Sequence, residues 1–135
     1  MTAKAFIDTN IWVYAHLQQT NEPKSNQALA LLDSLPISTI STQILHEYYS
    51  VMLKYKINDT IIQDNIEVII CASEITLIDL SVIRLAHEIR LQQQFSYWDS
   101  LIIASAIHSG CDTLYTEDVQ HKQAGKCFAP TFSKN

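Results

Sequence analysis

The feature that most limits how this chain can fold is a repeated junction. A short apolar or β-branched run stops at a polar residue, and a helical apolar pattern then begins. Ala5, Phe6 and Ile7 end at Asp8, after which Ile11, Trp12, Tyr14 and Ala15 recur at helical spacing over 11–17. After a polar stretch over 18–23, Ala28, Leu29, Leu31, Leu32 and Leu35 give a helix over 26–35 that Pro36 ends. Residues 37–40, Ile-Ser-Thr-Ile, alternate as a strand, and Ser41 and Thr42 can cap a helix running to Tyr55. The pattern continues with a helix over 60–72, a strand over 75–80, and a helix over 82–93 behind Ser81 as cap. Ser96 opens a further helix, apolar on nearly every side and therefore central, which Gly110 terminates. Thr113 to Thr116 form a fourth strand, and 126–129 a weaker fifth. Strands that alternate with helices, without repeats or an interior boundary, predict an α/β fold: a parallel sheet covered on both faces. The 135 residues suit a single domain spanning 1–135.

At 47% hydrophobic and 17% charged residues, the chain is expected to fold rather than stay disordered. No apolar run approaches the roughly 20 residues of a bilayer span, and no signal-like segment precedes the first strand. Cys71, Cys111 and Cys127 are odd in number and lack CxxC spacing. They are read as buried free thiols in a reducing cytoplasm rather than as a disulfide frame or zinc knuckle. The net charge of −5 argues against a broadly basic nucleic-acid binder. Setting four of the 14 acids aside for a metal site leaves ten against nine basic residues, so a local nucleic-acid surface stays open.

Four acids occupy comparable junctions: Asp8 after the first strand, Glu47 on the helix after the second, Asp99 in a first helical turn, and Asp118 after the fourth strand. Ligands in open α/β sheets bind outside the strands' carboxyl ends, and right-handed crossovers bring those ends to one edge. Three of these acids also have an ordinary alternative. Asp8 or Asn10 can cap a helix, Glu47 can be solvated, and Asp99 can complete a capping arrangement with Ser96. Carboxylates brought together repel one another unless cations offset them, and hard Mg²⁺ or Mn²⁺ match oxygen donors. A water of lowered pKa in such a site can attack a phosphodiester. Metal-dependent phosphoryl transfer is thus the chemistry these residues favour.

The sequence resembles the PIN-domain ribonucleases, specifically the VapC-type toxins of toxin–antitoxin pairs. The blocks that carry the resemblance are Phe6-Ile7-Asp8-Thr9-Asn10, Glu47 within Gln43-Ile44-Leu45-His46-Glu47-Tyr48-Tyr49, Ser96-Tyr97-Trp98-Asp99-Ser100-Leu101-Ile102, and Leu114-Tyr115-Thr116-Glu117-Asp118. The resemblance implies a five-stranded parallel sheet sandwiched between helices and an endoribonuclease using Mg²⁺ or Mn²⁺. It also implies a homodimer and a cognate VapB-type antitoxin that blocks the site. By position, Asp8 and Asp99 match the most direct metal ligands, and Glu47 and Asp118 complete the set. Thr9, Asn10 and Thr116 match groups that orient the carboxylates. Glu117, adjacent to Asp118, competes with it as the fourth acid.

His46 and His121 can serve as metal ligands or proton shuttles, with surface histidine as the ordinary alternative. Trp12, Tyr97 and Trp98 can stack RNA bases or fill the core and a dimer contact. Lys54, Lys56, Arg90 and Lys122 are candidate phosphate contacts. Two further functions compete. A phosphohydrolase with an aspartyl nucleophile needs a second Asp close behind Asp8, where this chain has Thr9 and Asn10. The other is a catalytically silent RNA- or protein-binding module on the same fold.

Overall fold

A computed structural model describes residues 4–17, 23–116 and 126–128. In chain order these form β1 (Ala5–Ile7), α1 (Thr9–Leu17), α2 (Pro23–Ser34), β2 (Ser38–Ser41), α3 (Thr42–Lys54) and α4 (Asp59–Ala72). There follow β3 (Ser73–Thr76), α5 (Leu80–Gln93), α6 (Tyr97–His108), β4 (Thr113–Thr116) and β5 (Lys126–Phe128).

The strands make one sheet in the order β3-β2-β1-β4-β5. The first four are mutually parallel, with Ala5 opposite both Ser38 and Thr113, and Ser38 opposite Ser73. β5 is antiparallel to β4, pairing Leu114 with Phe128. The expectation of five parallel strands is therefore corrected: four are parallel, and the fifth is an antiparallel edge. Connection length is the reason. Residues 117–125 fall short of the roughly dozen residues a parallel crossover needs, but they suffice for an antiparallel return.

β1 lies between β2 and β4 and is buried at all three residues, as its apolar sequence requires. Phe6 and Ile7 are fully enclosed, and burial of side chains this size stabilises by about 1.5–3 kcal/mol each. The chain steps from β1 through β2 to β3, then returns to the other side of β1 as β4. Right-handed crossovers accordingly place the α5–α6 pair on the face opposite α1 to α4. The nearly all-apolar α6 is buried at every residue from 100 to 106, so it is the central helix of its face.

The amino-terminal edge of the sheet is fastened by Lys4. Its Nζ donates to the carbonyl of Ser109, the C-cap of α6, at 2.7 Å, and its own carbonyl accepts from the Asp112 amide at 3.0 Å. With its C-terminus held there, α6 presents its N-terminus at the opposite edge, where the parallel strands end.

Four local expectations shift. β3 begins at Ser73, directly after α4, because its ladder pairs Ser73–Thr76 with Ser38–Ser41. Leu77 and Ile78 lie beyond it, and Leu77 is exposed. Asp79, not Ser81, caps α5: its Oδ1 accepts from the Val82 amide at 3.1 Å, and Ser81 lies within the helix. Ser41 does sit at the N-cap of α3 but makes no capping bond, and its hydroxyl is buried without a partner. Of the cysteines, Cys111 is buried as expected, whereas Cys71 is exposed on α4.

Candidate active site

The strand order puts a topological switch point between β1 and β4, because the helices that follow β1 and those that lead into β4 lie on opposite faces of the sheet. A crevice opens at the carboxyl ends of such a pair. Asp8 follows the last residue of β1, and Thr116 is the last residue of β4. The Asp8 amide donates to the Tyr115 carbonyl at 3.0 Å, which extends the β1–β4 ladder by one residue. Asp8 is only 4% exposed, and its carboxylate is held on both oxygens. The Thr9 amide donates to Oδ1 at 2.6 Å, and the Thr116 hydroxyl donates to Oδ2 at 2.5 Å. Asp8 thus combines a helix-start role with a fixed orientation. The Thr116 bond, made across the switch point, goes beyond any helix cap.

Glu47 lies in the second turn of α3, half-buried. Thr9 Oγ1 donates to its Oε1 at 2.7 Å, and Gln43 Nε2 donates to its Oε2 at 2.9 Å. Glu47 is therefore no free, solvated side chain. Thr9 joins the first two acids: its amide bonds Asp8 and its hydroxyl bonds Glu47.

Asp99 lies in the first turn of α6. Ser96 is the N-cap, and its hydroxyl accepts from the Asp99 amide at 3.1 Å, as the capping alternative requires. That bond engages the backbone, and the Asp99 side chain lines the crevice. Burial pushes the Asp99 carboxyl above the usual carboxylate range; a hydrogen bond from Ser96 works in the other direction, and the nearby Glu47 charge adds to the rise. The Glu47 contribution is the electrostatic sign of two carboxylates sharing one site.

Asp8, Glu47 and Asp99 line a single cavity of about 330 Å³ together with Thr9, Asn10, Ser50, Val51, Lys54 and Ile102. Asp8 and Asp99 both stand at helix starts, where the partial positive charge of the helix favours an anion. Lys54, named from sequence only as one of several possible phosphate contacts, is the basic residue in this lining. Gln43, Ser50 and the cavity position of Lys54 escaped the sequence reading. The i,i+4 spacing of Gln43 and Glu47 was the available signal for the first. Asp118, Glu117, His121 and Lys122 lie outside the described residues.

A second and larger cleft, about 600 Å³, shares Glu47 and Ser50 with the acidic cavity and is lined by Thr42, Gln43, His46, Ile78, Trp98 and Leu101. His46 is exposed there rather than directed to a buried ligand position. Trp12 is buried in the core, Tyr97 is half-buried, and Trp98 is exposed. Arg90 lines neither space: its guanidinium donates to the Phe95 carbonyl and so closes the turn between α5 and α6. Lys56 adopts a positive φ just after α3.

The donor set fits a hard divalent cation in kind. All three acids offer oxygen, and two of them are oriented by hydroxyl, amide or backbone donors of the sort that position metal ligands. Among the described residues no group of three His, Cys, Asp or Glu side chains is arranged to hold a metal ion by itself. Mg²⁺ commonly takes only one or two protein carboxylates and keeps several waters, so this donor set remains compatible with it.

The family model for the PIN domain matches residues 5–126. The chain belongs to the PIN-domain family. Solved structures share the PIN fold at low identity. VapC20 of Mycobacterium tuberculosis, described as a sarcin-ricin loop cleaving toxin, superposes with a TM-score of 0.69 at 17% identity, covering 84% of this chain and 89% of that one. A toxin–antitoxin complex from Klebsiella pneumoniae gives 0.64 at 20% identity, covering 84% and 86%. VapBC2 from Rickettsia felis, bound to a fragment of its promoter DNA, gives 0.62 at 18% identity, covering 93% and 99%. No curated protein matches the chain by sequence. Among the described residues of this PIN domain, no helix is long and apolar enough to cross a membrane.

Proposed function

We propose that this PIN domain, a single domain over 1–135, is a metal-dependent endoribonuclease acting as the toxin of a VapBC-type pair. The observation that carries the reading is the convergence of Asp8, Glu47 and Asp99, from three separate elements, on one cavity at the switch point of the sheet. RNA is the assigned polymer because a toxin of the same fold is described as cleaving the sarcin-ricin loop.

Asp8 and Asp99 are the residues to hold Mg²⁺ or Mn²⁺ most directly, with Glu47 and Asp118 completing the site. When bound, such a cation lowers the pKa of water in its shell and offsets charge on the phosphate. Thr116 and the Thr9 amide keep both Asp8 oxygens turned to their task, and Thr9 and Gln43 do the same for Glu47. Lys54 at the cavity rim offers a positive charge to a neighbouring backbone phosphate. The overall charge of −5 means that RNA engagement is local, or shared with a basic partner. The toxin–antitoxin complexes among the fold's relatives support a VapB-type antitoxin as partner. The cytoplasm is the assigned compartment.

The test is incubation of a total-RNA pool with purified protein in Mn²⁺, in Mg²⁺ and in chelator, with Asp8→Asn as control. Discrete fragments are expected with metal only. The variant is expected to lose at least about 100-fold in rate, the upper end of what losing even an outer-shell partner of a metal ligand costs. Intact RNA after incubation with folded, Mn²⁺-binding wild type would overturn the nuclease reading and leave a binding module on the PIN fold.

A further inference from the structure

Gln43 makes contacts that its position, on the second residue of α3, does not require. It is 6% exposed. Its Nε2 donates to Glu47 Oε2 at 2.9 Å and to the backbone carbonyl of Trp98 at 3.2 Å. Trp98 immediately precedes Asp99 in the first turn of α6. The amide orientation is dictated by chemistry: both facing atoms are acceptors, so only the NH₂ end can face them. The other end, Oε1, is buried without a hydrogen-bond partner. Burying an amide oxygen unpaired is destabilising. Packing alone would be served as well by an apolar side chain of the same length. The structure keeps an amide where stability favours none, and that amide joins the two helices that carry Glu47 and Asp99.

We infer that Gln43 is a positioning residue of the metal centre. It fixes the Glu47 carboxylate from one side while Thr9 fixes it from the other, and it ties the start of α6 to α3 so that Glu47 and Asp99 face one cation. The inference rests on the metal-dependent reading above. It extends that reading to a residue outside the acidic set, acting through Glu47 and through the backbone before Asp99.

The test is Mn²⁺ binding to the metal-free full chain, followed by calorimetry and by the paramagnetic resonance signal of free Mn²⁺. The variants are Gln43→Met and Asp8→Asn, each with a thermal melt of the metal-free form. Gln43→Met preserves length and burial but removes both donors. It is expected to weaken Mn²⁺ binding about 10-fold or more, the usual effect of losing a group that orients a ligand, while the metal-free melting temperature is held or raised. A merely structural Gln43 would show the reverse: a lower melting temperature and unchanged affinity. Should the methionine variant not fold, Gln43→Asn retains the amide but is one methylene too short for both acceptors, and the same weakening is expected. Wild-type affinity in a folded Gln43 variant overturns this inference and leaves the nuclease reading standing. Wild-type protein that binds Mn²⁺ no better than Asp8→Asn overturns the nuclease reading and this inference with it.

Discussion

At Asp99 a single buried charge bears on stability. Burial and the Glu47 charge raise its carboxyl pKa, with Ser96 opposing them. The folded protein therefore binds the Asp99 proton more tightly than the unfolded chain does. The ionised form costs stability above the folded pKa, and that cost fades as pH falls through it. Asp99→Asn is accordingly expected to raise the melting temperature of the metal-free protein at pH 7.5. Mn²⁺ is expected to stabilise the wild type and not the variant, since a ligand bound only by the native state stabilises it. Scanning calorimetry with and without Mn²⁺ measures both; a lower melting temperature for metal-free Asp99→Asn would contradict the assignment of strain to this charge. The backbone bond to Ser96 survives the substitution, so the helix cap is not the variable. At this scale the sequence was informative about residue types and silent about partners. Spacing pointed to Asp8, Glu47 and Asp99, but the hydroxyls of Thr9 and Thr116 and the amide of Gln43 acquire their roles only through contacts made in the fold.

Elements were read best where apolar periodicity was long and caps were chemically distinct. The helix α4 starts at Asn58, whose side chain accepts from the Ile61 amide at 3.0 Å, and α6 starts at Ser96 and is followed by Gly110 at φ +81°. Reading was poorest for β3, where a four-residue strand follows a helix without a loop and pairing rather than sequence chooses its ends. The C-terminus of α5 falls at Gln93 as the sequence predicts, but its cap is unusual: Gln94 takes the left-handed conformation, φ 61° and ψ 28°, usually left to glycine. That conformation costs a side-chain-bearing residue about 1–2 kcal/mol, partly offset by glycine's greater entropy loss on folding. Gln94→Gly is therefore expected to stabilise the protein by about 0.5–1 kcal/mol in urea denaturation. A loss of stability would mean that the Gln94 side chain contributes more than its backbone conformation costs.

At the scale of the whole molecule, a polar pair joins two helices packed on the same face of the sheet. His16 Nδ1 lies 2.6 Å from the Tyr48 hydroxyl, between α1 and α3. Burial lowers the His16 pKa below its ordinary value. The unfolded chain thus takes up a proton at higher pH than the native protein does. The stability supplied by neutral His16 is complete above its unfolded pKa of about 6.5 and is lost as pH falls from there through the depressed folded pKa. Denaturant melts at pH 7.5 and 5.5 are expected to show a larger drop for the wild type than for His16→Gln. Equal drops would assign the acid sensitivity to other groups. Asp99 acts with the opposite sign, so the comparison is best repeated in the Asp99→Asn background.

The sequence by itself determined the alternation of strands and helices, the buried first strand, the central apolar helix and the acids at element junctions. These follow from local pattern: periodicity selects the element, and an apolar run must leave water wherever it lies. Tertiary structure alone decided that β1 sits between β2 and β4, and that Thr116, Thr9 and Gln43 reach the carboxylates. Strand order and hydrogen-bond partners depend on contacts between residues far apart in the chain, such as Thr116 and Asp8. No local pattern encodes such contacts, because they form only when the sheet, its crossovers and its core are satisfied together.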